Sequence, residues 1–158
     1  MNKNEGNKNL TIWVDADACP KLIKEVLYRS AKRLSITTVF VANQALSTPA
    51  SPFIVKRQVE AGFDIADQYI CDAVQPFDLV ITADIPLADQ VITKGAVVLT
   101  PRGESLTTEN IKQKLSVRDF MTEMRGAGLT TGGPPPLNNQ DKTMFANALD
   151  RLLTKQRR

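Results

Sequence analysis

The feature that most constrains this chain is an alternation between two kinds of segment. Short runs rich in β-branched residues recur at Thr11–Val14, Ile36–Ala42, Phe53–Val59, Asp78–Thr82 and Ala96–Thr100. Stretches with apolar residues at helical spacing lie between or after them, at Pro20–Leu34, Ile65–Val74, Pro86–Lys94, Thr107–Arg125 and Gln140–Lys155. β-branched side chains fit a pleated, buried surface, and a near-continuous run such as Ile36–Ala42 fits a central strand of a parallel sheet. Strands alternating with helices predict an α/β fold, three layers α/β/α around a mostly parallel five-stranded sheet. Phe53–Val59 carries a competing signal, because Ser51-Pro52 also suits a helix start; it is read as a strand. Within Thr107–Arg125, the sequence Ser116-Val-Arg-Asp resembles a capping box, so a break is expected there.

At 158 residues the chain is expected to form one domain, residues 11–155. Residues 1–10 are polar, lack the apolar core of a signal peptide and read as a flexible tail. Gly126–Asn139 holds four glycines and three consecutive prolines and reads as a mobile or ligand-covering loop. Residues 156–158 form a basic tail. No apolar run is long enough to span a membrane. The net charge of +3 permits nucleic-acid binding without requiring it.

Missing residues narrow the chemistry. The chain has no histidine. That removes Ser-His-Asp and Cys-His catalysis, histidine general bases and histidine zinc sites. Two cysteines, Cys19 and Cys71, are too few for a cysteine zinc site and point to a reduced, cytoplasmic setting. Cys19 stands near a helix N-terminus, where a thiol pKa can fall. No arginine stands where a cysteine phosphatase would need one, so Cys19 is read as structural.

Acidic residues remain. Asp15 and Asp17 directly follow the first strand, and Asp84 directly follows the fourth. In open α/β sheets, ligands bind beyond the carboxyl ends of the strands. Asp67 lies in the first turn of a helix and can reach the same edge. Capping and the helix dipole would explain these aspartates individually; the repeated placement after separate strands favours a shared site. Carboxylates at close range repel, and a hard cation, Mg²⁺ or Mn²⁺, relieves that repulsion. Asn43, at the end of the second strand, points at the ligand edge or serves as a turn residue. Arg102, after the fifth strand, could grip phosphate bidentately.

Several motifs together carry a resemblance. They are Asp-Ala-Asp-Ala-Cys-Pro at 15–20, Val-Ala-Asn at 41–43 and Ala-Asp-Gln-Tyr-Ile at 66–70. The others are Asp-Leu-Val-Ile-Thr-Ala-Asp-Ile-Pro-Leu-Ala at 78–88, Pro-Arg-Gly at 101–103 and Gly-Gly-Pro-Pro at 132–135. Over about Thr11–Leu153 the chain resembles the uncharacterised bacterial YaiI/YqxD family. That family in turn resembles the PIN/NYN nuclease superfamily, which implies a PIN-like parallel sheet with a metal-binding acidic cluster. By position, Asp15 resembles its first acidic residue, Asp67 the middle one and Asp84 the one after the fourth strand. Asp17 would be an additional ligand, and Thr82 resembles the hydroxyl residue before the last aspartate.

Three functions are weighed. The first is a Mg²⁺- or Mn²⁺-dependent nuclease acting on RNA, with Asp15, Asp17, Asp67 and Asp84 as catalytic and metal-binding residues. Asn43, Thr82 and Arg102 would then bind substrate. The second is a nucleic-acid or nucleotide-binding module without turnover. The third is a haloacid-dehalogenase-type phosphatase, whose Asp-x-Asp also follows a first strand and uses one carboxylate as nucleophile. Against the third, Ala18-Cys19 replaces its usual continuation, and no clear lysine motif follows.

Overall fold

The computed structural model describes residues 10–62, 64–128 and 135–156. The expected N-terminal tail apart from Leu10, the centre of the Gly/Pro loop and the end of the basic tail lie outside the described residues.

Strand β1 (Ile12–Asp15) opens the domain and is followed by one 3-10 turn, Ala16–Ala18. Helix α1 (Lys21–Leu34) follows Pro20, whose fixed φ suits a helix start. It ends at Ser35 in the left-handed region, φ 55°, whose N–H returns to the Ala31 carbonyl. Then come β2 (Thr38–Ala42), β3 (Ile54–Gln58), α2 (Ile65–Ala73) and β4 (Leu79–Ile81). The chain continues through α3 (Ile85–Thr93), β5 (Val97–Leu99), β6 (Ser105–Leu106), α4 (Ile111–Gly126) and α5 (Asn139–Gln156). Phe53–Val59 does hold a strand; its residues pair with all five of β2, Thr38↔Ile54 through Ala42↔Gln58.

The strand order is β3-β2-β1-β4-β5-β6, parallel except for β6. Two expectations are corrected. The sheet has six strands among the described residues, not five. The extra strand, β6, spans only Ser105–Leu106 and pairs antiparallel with β5, which is too short to leave an alternating pattern in the sequence. The expected break near Ser116 is absent: α4 is continuous from Ile111 to Gly126. No glycine or proline lies in Leu115–Arg118 to force the backbone out of helix, and the flanking Lys, Leu, Met and Glu residues favour it.

Two apolar layers cover the sheet. On one face α1 and α5 place Ile23, Leu27, Phe145 and Leu149 against Val14, Phe40 and Ile81. On the other, α2, α3 and α4 place Ile70, Leu87, Val91 and Ile111 against Val41, Val80 and Val98. Parallel strands covered on both faces must be apolar throughout, and every residue of β2 is buried. The turn from β5 to β6 needs Gly103 for two reasons. Its φ is +90°, and a Cβ would come within 3.2 Å of the Met144 carbonyl on α5.

Candidate functional site

The chain direction reverses its progress across the sheet between β1 and β4, its two central strands. That makes their carboxyl ends the switch point, where a crevice opens. β1 ends there on Asp15, and Thr82-Ala83-Asp84 follows β4 there. Asp84 caps α3: its Oδ1 accepts the Leu87 N–H at 3.0 Å. The cap explanation for this aspartate therefore holds, and it occupies only one of the two carboxylate oxygens.

Thr82 is buried and ties the two strand ends together. Its hydroxyl donates to Asp15 Oδ2 at 3.0 Å and accepts the Asp84 N–H at 3.0 Å. Although expected to touch substrate, Thr82 as placed positions the two aspartates. Asp67, in the first turn of α2, brings a third carboxyl to the same edge; Asp67 and Asp84 lie within hydrogen-bonding reach.

The electrostatics record the crowding. Burial pushes the Asp67 carboxyl up to about 7, and the charges of Asp84, Asp15 and Asp64 push the same way. Burial also raises Asp15; the Thr82 hydroxyl opposes that shift, and Asp84 and Asp17 add to it. Both shifts disfavour the charged carboxylate, so crowding these acids at one edge works against full ionisation of the cluster.

The other expected site residues sit around this centre. Asp17 is exposed on the β2 side of β1, and its Oδ2 accepts the Asn43 N–H at 2.8 Å. Asn43 here acts through its backbone. Arg102 donates to the Pro135 carbonyl and pairs with Asp141 at 3.4 Å, which holds the β5–β6 turn to the start of α5. Cys19 is buried, and burial pushes its thiol up to about 12, so a lowered, reactive thiol is excluded.

Two further residues stand near this centre. Asp64 precedes α2 in the left-handed region, φ 66°, and faces Asp67. Arg118, on α4, lines the same acidic pocket of about 350 Å³ as Asp64, Asp67 and Asp84. No local signal marks Arg118; only the packing of α4 on α3 brings it there.

Among the described residues, no three His, Cys, Asp or Glu side chains form a closed set of ligands. Mg²⁺ does not need one. It keeps several waters and is commonly held by one or two carboxylates. Asp67 and Asp84 have the chemistry of such an open pair, with Asp15 close enough to add its charge.

Fold and site together define the class: a parallel α/β protein with mutually repelling, partly buried aspartates at its switch point. The model of the family described as uncharacterized BCR, YaiI/YqxD family, matches residues 13–155, and the chain belongs to that family. A UPF0178 protein of Marinomonas sp. (strain MWYL1) is 57% identical over 147 residues, covering 93% of this chain and 99% of the relative. A UPF0178 protein of Shewanella sp. (strain ANA-3) is 59% identical over 144 residues, covering 91% and 96%. One from Proteus mirabilis (strain HI4320) is 56% identical over 149 residues, covering 94% and 99%. None of these names states an activity, and the family match does not extend to PIN/NYN nucleases. No described helix is long and apolar enough to cross a membrane.

Proposed function

We propose that this protein is a Mg²⁺- or Mn²⁺-dependent phosphodiesterase that cleaves RNA, with Asp15, Asp67 and Asp84 forming the metal-binding edge. One observation carries this reading: Asp15 and Asp84 meet at the carboxyl ends of the two central strands, joined by the buried Thr82 hydroxyl, and Asp67 stands at the same edge. Such a cluster costs stability when fully ionised, and a divalent ion would offset that repulsion. When bound, the ion supplies Lewis acidity and lowers the pKa of its water towards about 7. The chain supplies the rest. Thr82 fixes Asp15 relative to Asp84, and the α3 cap fixes Asp84 itself. Asp17, anchored by the Asn43 N–H, stands as an additional, outer carboxylate. With no histidine in the chain and the Cys19 thiol pushed up by burial, carboxylates are the bases this edge offers among the described residues.

A second reading, a nucleic-acid-binding module without turnover, is favoured by the lack of a closed three-ligand set among the described residues. Against the phosphatase reading, the acid/base role would fall to Asp17, one of whose oxygens is already engaged. The test is incubation of labelled RNA and DNA with the purified protein and Mn²⁺ or Mg²⁺, with EDTA and Asp84→Asn as controls. Cleavage that EDTA stops, Mn²⁺ restores and Asp84→Asn lacks supports the phosphodiesterase. Metal-independent binding with no cleavage supports the module instead. A covalent aspartyl-phosphate trapped on Asp15 would support the phosphatase.

A further inference from the structure

A larger cleft of about 920 Å³ runs beside the acidic pocket. Ala18 and Ala83 form part of its lining, and each is the chain neighbour of a candidate aspartate, Asp17 or Asp84. Pro101, Val117 and Leu137 give the cleft apolar surface, and Val117 is 54% exposed with nothing described covering it.

Arg118 lines both cavities. Among the described residues around the acidic pocket it is the one cation facing Asp64, Asp67 and Asp84. The other cations of the cleft are engaged across the fold. Lys114 pairs with Glu104 at 2.5 Å, and Arg102 is held by Asp141 and the Pro135 carbonyl. Among the described residues Arg118 pairs only with its chain neighbour Asp119, at 3.3 Å, with side chains 48% and 71% exposed. So exposed a pair holds weakly, and a phosphate competes with it easily. The guanidinium fork matches phosphate oxygens bidentately.

We infer that Arg118 is a positioning residue at the junction of cleft and acidic pocket, gripping a backbone phosphate while unpaired flanking nucleotides lie in the cleft. The inference rests on the nucleic-acid reading proposed above. The division of labour follows from the lining: a cation for the backbone, and Pro101 and Val117 as surfaces on which bases can lie. The scissile phosphate would then sit one position further on, at Asp15, Asp67 and Asp84, and Arg118 offsets part of the repulsion between its charge and theirs.

The test is fluorescence anisotropy with a labelled single-stranded RNA oligonucleotide, in EDTA so that nothing is cleaved, over a series of salt concentrations. Arg118→Ala should weaken binding about tenfold and reduce the steepness of log affinity against log salt by about 0.7. Arg118→Lys should restore the slope but only part of the affinity. An abasic oligonucleotide should bind the parent more weakly than the intact one. Mn²⁺ affinity, measured by calorimetry, should not fall in Arg118→Ala, because the change removes a positive charge facing the carboxylates. Equal affinity and equal slope for parent and Arg118→Ala would overturn the inference. If binding depends on Arg118 but RNA survives Mn²⁺, the inference stands and the proposed cleavage falls. If RNA is cleaved with the same KM by parent and Arg118→Ala, cleavage stands and the inference falls.

Discussion

Asp78 and Asp15 are both buried, at 4% and 9% exposure, and both sit at ends of the two central strands. Asp78 lies just before β4, at the amino edge. Its carboxylate accepts three hydrogen bonds, from the Thr11 N–H at 3.1 Å, the Trp13 indole at 2.9 Å and the Gln75 N–H at 2.9 Å. Asp15, at the carboxyl edge, accepts one, from Thr82, and faces other carboxylates instead of donors. Burial alone therefore does not mark a functional acid. What separates the two is whether the surroundings have answered the charge. At Asp78 they have, and the group pins β1 to the turn before β4. At Asp15 they have not, and the unanswered charge is available to something from outside.

The sharpest way to break the contrast is to remove each carboxylate and measure stability by urea unfolding. Asp78→Ala leaves an indole N–H and two backbone N–H groups without their acceptor, which should cost about 3 kcal/mol or more. Asp15→Asn, by contrast, relieves repulsion and should change stability by no more than about 1 kcal/mol in metal-free buffer. Equal losses at both sites would mean that Asp15 is as structural as Asp78.

The second effect concerns metal. Mn²⁺ should raise the melting temperature of the parent, because an ion that binds only the folded chain stabilises it by mass action. The double variant Asp15→Asn, Asp84→Asn should lose that shift. Asn at position 84 can still cap α3 through its side-chain oxygen, so helix loss does not confound the result. An unchanged Mn²⁺ affinity in calorimetry would put the ion elsewhere.

The carboxyl-edge cluster was legible in the sequence because its members are tied to strand ends. Asp15 and Asp84 follow β-branched runs directly, and the amino-edge place of Asp78 is equally plain, one residue before such a run. Parallel α/β topology then puts residues after different strands on one edge without any need for contact information. What the sequence hides is set by packing between distant elements. Arg118 reaches the acidic pocket because α4 crosses α3, and nothing within Ser116-Val-Arg-Asp signals that. The same motif looks like a helix start and is helix interior, since a capping box takes effect only where the backbone has already left the helix. Strand β6 is invisible for a simpler reason: two residues cannot display a period. The role of Thr82 was half legible. Its place before Asp84 was read as a ligand contact, whereas burial turns its hydroxyl inward as the link between two acids.

A third test uses pH. Burial and the neighbouring charges raise the Asp67 carboxyl from 3.8 to about 7. Between those values the folded chain holds a proton that the unfolded chain has released. Stability in metal-free buffer should therefore be fully supported by this group below about pH 4 and decline as pH rises towards about 7. Asp67→Asn should remove that part of the decline, seen as the difference between the two unfolding profiles. Saturating Mn²⁺ should reverse its sign, because metal binding requires the deprotonated carboxylate. Matching parent and Asp67→Asn profiles would show that Asp67 titrates normally and that the cluster is not crowded.

The smallest effect is expected at Asp17, which stands between the two extremes of the comparison. It is exposed, so water answers much of its charge, and it also accepts one backbone hydrogen bond, from Asn43. Its remaining influence is the push it gives the Asp15 carboxyl. Asp17→Asn keeps an oxygen for the Asn43 N–H and should shift stability by no more than about 0.5 kcal/mol. It should also weaken the Mn²⁺-induced rise in melting temperature without abolishing it, since Asp84 follows β4, on the other side of β1. The measurement is that rise, taken for Asp17→Asn and for the double variant in parallel. Complete loss at Asp17 would place the ion on the β2 side, between Asp15 and Asp17, and would leave Asp67 and Asp84 with no part in holding it. A partial loss keeps the ion at the β1–β4 switch point, where Thr82 has already joined the two strand ends.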